Sequence, residues 1–436
     1  MPRTTSIDLA PPAEKAFLVA VDTGEDPGWT AEDSLAELAA LAETAGADVV
    51  GAEWQNRRHV DPNWYVGKGK AEELVAAKAE TGYTLLVADD ELSPGQQRAL
   101  EELLKVKVID RSRLILDIFA QHARTHEGRL QVELAQLEYQ LPRLTRMWTH
   151  LSRTGGGIGT RGPGETQLET DRRLIRERIK KMKERVEDVR QQRATAARSR
   201  DRRLMSTVSI VGYTNAGKST LLNALVGSEV ALAEDRLFAT LDPTSRQVRL
   251  GEGQAAILTD TVGFIHKLPH QLVDAFRATL EEVARADVLV EVVDASDRHV
   301  AEHRATVQTV LDELGAGEKP RLAAFNKADL LGAGGDAAHA PIVGGSVLIS
   351  ATTGYGLDAL RTELAALLAS LWEDVDVAVP YAAGELLARV RERGAVDLDY
   401  GERDVRVRGR IAPALAGELR SAAAQWAETL RESAAT

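Results

Sequence analysis

The chain has 436 residues, 44% hydrophobic and 28% charged, the balance of a globular protein and not of a wholly disordered one. It has no cysteine, which excludes disulfides, Cys-ligated zinc, iron–sulfur clusters and a thiol nucleophile. The formal net charge of −12 conceals a basic segment: Asp171 to Arg203 holds 14 Lys/Arg against 6 Asp/Glu, a net +8, so the remainder carries −20.

The opening stretch, MPRTTSIDLAPPAEKAF, lacks the apolar core of a signal peptide, and no run approaches the roughly 20 apolar residues that span a bilayer. No membrane span is expected, and the cytoplasm is the expected location. The nine histidines show no HExxH spacing, which gives a transition-metal site little support.

From about Lys15 to Ile109 strand-like and helix-like runs alternate: KAFLVAV, SLAELAALAETAG, ADVVGAEW, KAEELVAAKAETG, YTLLVAD, SPGQQRALEELL, VKVID. That alternation predicts a small α/β domain with a parallel sheet. Leu130, Leu134, Leu137, Leu141, Leu144 and Trp148 then form one apolar seam at helical spacing, with Pro142 expected to kink it. Leu168, Ile175, Ile179, Met182, Val186 and Val189 form a second seam, interrupted by Arg172, and the two predict an antiparallel helical hairpin. Its tip, Gly155 to Gly164, holds six glycines in ten residues, ringed by Arg143, Arg146, Arg153 and Arg161. Such a tip either moulds itself to an anionic partner or is a flexible linker, and the basic run after it is either a binding face or a solvated one.

Alternation of strands and helices resumes at Ser206 and runs to about Leu371. After Pro380 a helix, two strands around DYGERD and a final helix are predicted. Arg406, Arg408 and Arg410 share one face of the second strand, either for phosphates or as a basic sheet edge that deters aggregation. The expected segments are an N-terminal α/β domain (1–128), the hairpin (129–203), an α/β domain on a mostly parallel sheet (204–373) and a small α+β unit (374–436).

The third segment carries the chemistry. The strand TVSIV runs into Gly212, Tyr213, Thr214, Asn215, Ala216, Gly217, Lys218, Ser219 and Thr220, followed by a helical run. A glycine loop between strand and helix aims backbone N–H groups and the positive helix end at one point, which suits a polyphosphate. Lys218 is expected to reach the terminal phosphates, and the Ser219 hydroxyl to ligate Mg²⁺. A second strand ends at Asp260, which can hold Mg²⁺ through water, with Gly263 three residues on to offer its N–H to a γ-phosphate. Between them FATLDPT offers Thr240 and Thr244 as the switch threonine on Mg²⁺, and Thr240 is preferred.

A third strand leads into Asn326, Lys327 and Asp329. A carboxylate there accepts two donors from a guanine edge, where adenine offers none to match, so GTP and GDP are the expected nucleotides. Ser350, Ala351 and Thr352 end a fourth strand and add a backbone contact to the guanine carbonyl. Lys218, Thr240 and Gly263 are the expected catalytic residues. Phe264 occupies the position where Ras-like enzymes carry a water-orienting Gln, so slow unaided hydrolysis is expected. Asn215 raises the hypothesis of K⁺ against the phosphates.

These motifs, with RSRLILDIFAQHARTHEGRLQVELAQLEYQLPRL and LSRTGGGIGTRGPGETQLETDRR before them, resemble the HflX family of ribosome-associated GTPases, within the Obg- and HflX-like P-loop GTPases. The resemblance spans about residues 15 to 371, and GGGIGTRGPGETQLE is its most specific part. It implies binding to the large ribosomal subunit in the GTP state, splitting of stalled or idle ribosomes, and hydrolysis stimulated by the ribosome. It also implies an rRNA contact for the glycine-rich tip and an rRNA-facing helix from Arg172. Some relatives are linked to heat stress or to resistance against ribosome-targeting antibiotics. Family N-terminal domains are connected with ATP and RNA remodelling, but YVGKGK at Tyr65 to Lys70 lacks P-loop spacing and reads as a structural turn. A monomer is expected. Two other readings stay open: a GTPase of ribosome assembly or tRNA modification, and a passive RNA-binding protein with a structural nucleotide.

Overall fold

A computed structural model of the chain describes residues 13–25, 28–144, 163–199, 205–228, 237–251, 254–267, 277–331 and 345–434. Contacts divide the chain into one unit of Met1–Val186 with Lys267–Ala275, and a second of Glu187–His266 with Phe276–Thr436.

The first unit opens on a four-stranded parallel sheet in the order β2-β1-β3-β4. Its strands are β1 (Lys15–Asp22), β2 (Asp48–Asn56), β3 (Leu85–Ala88) and β4 (Lys107–Asp110). The fully buried runs of β1 and β3 occupy the centre, as expected of strands covered on both faces. Helices α1 (Ala31–Thr44), α2 (Lys68–Thr81) and α3 (Pro94–Leu104) join them, so all seven alternating runs fold as the sequence predicts. Helix starts are encoded locally. Thr30 with Asp33, and Ser93 with Gln96, form reciprocal capping boxes, and Pro94 takes the first turn of α3, where a missing N–H costs nothing. Two further helices follow, α4 (Arg111–His122) and α5 (His126–Arg143).

Beyond the ends of β3 and β4 the unit buries a charge network. Arg111 is 1% exposed and donates to Asp89 at 2.7 Å and Glu37 at 2.6 Å. Asp89 also accepts from Ser34 and Lys267, both at 2.7 Å, and Lys267 reaches Asp90 at 2.6 Å. Burial pushes the Asp89 carboxyl up, but Arg111 and Lys267 outweigh it and hold it well below the usual carboxylate range. The YVGKGK stretch is a turn running into a helix: Tyr65 has φ of 68° and bridges back to Asp61, Gly67 caps α2, and Lys70 in the first turn of that helix pairs with Glu53 and Glu73.

Helix α6 (Pro163–Ser199) is 37 residues long. Its predicted seam is its less exposed side, with Met182 buried and Ile175, Ile179 and Val186 half-buried. Ion pairs Arg178–Glu133 and Lys183–Glu138 tie it to α5. Pro142 lies inside α5, in its last turn and one residue before the helix ends at Arg143. Arg146, Trp148, Arg153, Arg161 and Gly155 to Gly162 lie outside the described residues.

The second unit holds a six-stranded sheet ordered β10-β9-β8-β5-β7-β6, parallel except for β6. The strands are β5 (Ser206–Gly212), β6 (Thr244–Gly251), β7 (Gln254–Asp260), β8 (Val288–Asp294), β9 (Arg321–Asn326) and β10 (Ser346–Leu348). Helices α7 (Lys218–Val226), α8 (Arg277–Arg285), α9 (Val300–Glu313) and α10 (Leu357–Ser370) alternate with them. One core runs through Val208, Ile210, Leu221, Leu258, Val290, Leu322 and Leu364. Because the strands are parallel, the C-terminal ends of β5, β7, β9 and β10 all emerge along one rim.

The C-terminal part differs from expectation in one respect. A strand precedes the predicted helix, giving a three-stranded antiparallel sheet ordered β11-β13-β12, from β11 (Glu373–Pro380), β12 (Ala395–Tyr400) and β13 (Asp404–Ile411). Helices α11 (Gly384–Arg393) and α12 (Pro413–Ala434) complete it. The strand bearing Arg406, Arg408 and Arg410 is central and not an edge. Arg406 pairs with Asp376 at 2.7 Å and Arg408 with the same carboxylate at 3.4 Å, while Asp399 and Asp397 sit opposite them on β12. The arginine face is therefore neutralised from its neighbours, which removes the case for phosphate binding there.

Candidate functional site

The site begins where β5 ends. Gly212 has φ of 149°, and a Cβ there would lie 2.2 Å from the Val292 carbonyl oxygen, so only glycine lets the loop leave the sheet beside β8. Asn215 and Gly217 both take the left-handed conformation, with φ of 58° and 93°. A Cβ on Gly217 would meet Asn326 Nδ2 at 2.3 Å. Gly217 caps α7 without any side-chain bond, which leaves the first N–H groups of that helix for a ligand.

Lys218 is 6% exposed, and its ammonium donates to the carbonyls of Tyr213 at 2.7 Å and Gly212 at 3.2 Å. Burial pulls its pKa down to about 8, against the Asp260 carboxylate, which raises it. A buried ammonium facing carbonyls gains from a polyanion brought within reach.

Three oxygens converge beside it. Ser219 Oγ lies 2.6 Å from Asp260 Oδ2 and 2.8 Å from Thr240 Oγ1. Asp260 is fully buried, and its Oδ1 has no hydrogen-bond partner. A buried carboxylate with one unpartnered oxygen, its other oxygen bonded to the Ser219 hydroxyl and that hydroxyl to Thr240, fits a hard divalent cation such as Mg²⁺ held by oxygen ligands. Thr244 instead opens β6, its backbone in register with Asp260. Of the two threonines, Thr240 is the one that joins the cluster.

The segment after Asp260 lies against the loop. Phe264 N–H donates to Gly212 O at 3.1 Å, and Thr214 N–H donates to Phe264 O at 2.7 Å. This brings Gly263 so close that a Cβ on it would be 2.8 Å from Thr214 Cα and 2.9 Å from Lys218 Nζ. The Phe264 ring is 1% exposed and offers no polar atom to orient water. Thr214, Asn215, Lys218, Ser219, Thr220, Thr240 and Gly263 all line one cleft.

The base-reading loops are braced onto the same structure. Asn326 donates through Nδ2 to Ala216 O and accepts through Oδ1 from the Ala351 N–H, both at 2.9 Å, so one amide joins three motifs. Lys327 is left-handed, with φ of 65°, and pairs with Asp294 at 2.7 Å. Asp329 is exposed and accepts from Ser350 Oγ at 2.5 Å, which orients its carboxylate. Ser350 and Ala351 are buried, whereas Thr352 is exposed. Sequence reasoning had no signal for Asp294, for the Phe238 N–H that donates to Thr214 Oγ1 at 3.0 Å, or for the Tyr213 side chain.

A phosphate loop in front of a helix, an oxygen cluster under it and an oriented carboxylate at the base end, all on one sheet rim, define a P-loop GTPase domain. Residues 207–327 match the family described as 50S ribosome-binding GTPase. Residues 32–120 match GTP-binding GTPase N-terminal, and 122–200 match GTP-binding GTPase Middle Region. The GTPase HflX of Caldanaerobacter subterraneus is 46% identical over 415 residues, 95% of each chain. That of Lacrimispora saccharolytica is 49% identical over 370 residues, 84% of this chain and 85% of the relative. That of Escherichia coli is 44% identical over 396 residues, 90% and 91% of the two chains.

The chain belongs to the HflX family of GTPases. It binds guanine nucleotides and hydrolyses GTP, so the reading as a passive RNA binder with a structural nucleotide falls. Among the described residues no helix is long and apolar enough to cross a membrane.

Proposed function

We propose that this chain is a cytoplasmic, monomeric GTPase that binds the large ribosomal subunit in its GTP state and dissociates stalled or idle ribosomes. The observation that carries this reading is the pairing of an HflX-type N-terminal and middle region with the GTPase domain, the middle region including the exposed basic face of α6. Arg173, Arg176, Lys180, Lys181 and Arg185 are exposed along that helix, a charge pattern suited to an RNA backbone.

In the proposed mechanism water adds in line to the γ-phosphorus as the bond to the β-phosphate oxygen of GDP breaks. Lys218 and the loop N–H groups from Asn215 to Thr220 hold the β- and γ-phosphate oxygens, and Gly263 offers its N–H to the γ-phosphate. Mg²⁺, when bound, spreads the negative charge that develops on the phosphate oxygens; Ser219 and Thr240 would hold it, with Asp260 through water. Asp329, fixed by Ser350, accepts from the guanine edge, and Ala351 supplies an N–H. Phe264 leaves the attacking water without an orienting side chain at its own position, so that group comes from elsewhere in the chain, from the ribosome or from a cation. Asn215, left-handed at the mouth of the cleft, is the residue assigned to K⁺. Equal turnover in K⁺ and Na⁺ buffers would remove that assignment.

The test of the main reading is GTP turnover with and without purified large subunits, beside light scattering of intact ribosomes. Stimulated turnover with a fall in scattering is expected. Stimulation with scattering unchanged points instead to an assembly factor, and no stimulation overturns ribosome association.

A further inference from the structure

We infer that Tyr213 is a positioning residue for GTP hydrolysis, acting through its side chain on the segment that carries Gly263. As a member of the phosphate loop, Tyr213 contributes only backbone, and any side chain would satisfy that role. What the side chain does here is specific. Its ring is 6% exposed and stacks on His303 of α9, with centroids 3.8 Å apart and planes 15° from parallel. Its hydroxyl accepts the backbone N–H of His266 at 2.7 Å, a residue 53 positions further along the chain.

The consequence follows from what lies between. Phe264 is held at one end of a three-residue stretch by two backbone bonds, to Gly212 and Thr214, the residues flanking Tyr213. His266 is held at the other end by the Tyr213 hydroxyl. Ile265, between them, is fully buried. The stretch from Phe264 to His266 is thus pinned at both ends to the same three residues of the phosphate loop. The His303 stack fixes the ring that does the pinning. Gly263 precedes this stretch directly and packs on Thr214 and Lys218, so its N–H is placed by how firmly the stretch is held.

An N–H that must meet a transferring phosphoryl group tolerates little drift, and a misplacement of about 1 Å can cost about a hundredfold in rate. GDP has no γ-phosphate for Gly263 to meet. Loosening the stretch should therefore spare GDP affinity and slow the chemical step.

Tyr213→Phe tests this, because it keeps the ring and its stack while removing the acceptor. In the full-length protein with Mg²⁺, kcat for GTP should fall about tenfold. GDP affinity and KM for GTP should stay within about twofold, with Tm unchanged. Tyr213→Leu, which also loses the stack, should lower Tm and GDP affinity as well, separating packing from the hydroxyl. His266→Pro removes the donor, and combined with Tyr213→Phe it should lower kcat no further than Tyr213→Phe alone. A Tyr213→Phe protein with undiminished kcat overturns the inference. So does one whose GDP affinity falls in step with kcat, which would mean a damaged phosphate loop.

Discussion

At the scale of single residues, this site rests on groups whose chemistry leaves few substitutes. Asp329 is the sharpest case, an exposed carboxylate aimed by Ser350 at 2.5 Å. Asp329→Asn replaces one acceptor oxygen with a donor, so it should lower affinity for GTP by orders of magnitude and improve affinity for xanthosine triphosphate. Competition binding of the two nucleotides reads this out, and unchanged preference for guanine would remove the base-reading role. Residues of this kind are legible in a sequence because a phosphate, a divalent cation and a base edge each demand particular atoms at fixed distances along the chain. Lys218, Ser219, Asp260, Asn326 and Asp329 were readable for that reason. Thr240 was separable from Thr244 only in part, since the two lie four residues apart and sequence does not say that Thr244 opens β6 while Thr240 turns toward Ser219. The Tyr213 hydroxyl was not readable at all. Its partner is a backbone N–H, and every residue but proline has one.

At the scale of elements, helices and strands were legible where their signals were local, and partnerships were not. The capping boxes of α1 and α3 and the buried runs of β1 and β3 are written within a few residues. Strand β11, by contrast, sets Asp374 and Asp376 between apolar residues ahead of Pro380, and only its antiparallel register with β13 places Asp376 opposite Arg408, where Arg406 reaches the same carboxylate from the diagonal position. The buried network around Arg111 is another partnership across distance, joining residues 22 and 74 positions apart in sequence. It makes a clear prediction. Asp89→Asn leaves the Arg111 guanidinium buried with one carboxylate fewer, which should cost about 3 kcal/mol in denaturant unfolding. The pH sign is fixed by the direction of the shift. The Asp89 carboxyl is held below its unfolded value, so its stabilisation is complete above about pH 5 and is lost progressively as pH falls toward the folded value. The Asn variant should therefore lose stability at neutral pH and show a shallower decline with acid than the parent. Parallel acid titrations of the two proteins would remove Asp89 from the account.

At the scale of the whole molecule, charge is segregated. A chain with a net charge of −12 is repelled by nucleic acid over most of its surface, yet Asp171 to Arg203 carries +8. Under the proposed function, long-range attraction to an RNA partner is expected to act through that stretch and to orient the encounter before any close contact forms. The glycine-rich sequence from Gly155 to Gly164 is separated from this stretch by six residues, so under the proposed function the two are expected to engage the ribosome together. Removing Gly155 to Gly164 deletes none of the groups that line the nucleotide cleft. The deleted protein should bind GTP and GDP as the parent does and hydrolyse GTP at the parent's unaided rate. Its stimulation by large subunits should drop severalfold or more, and residual binding to them should remain strongly salt-dependent, because the basic helix is intact. Turnover titrated with large subunits at two salt concentrations distinguishes the outcomes. Full stimulation would make the glycine run a linker. Lost nucleotide binding would show that the segment is needed for folding and carries no separate ribosomal role.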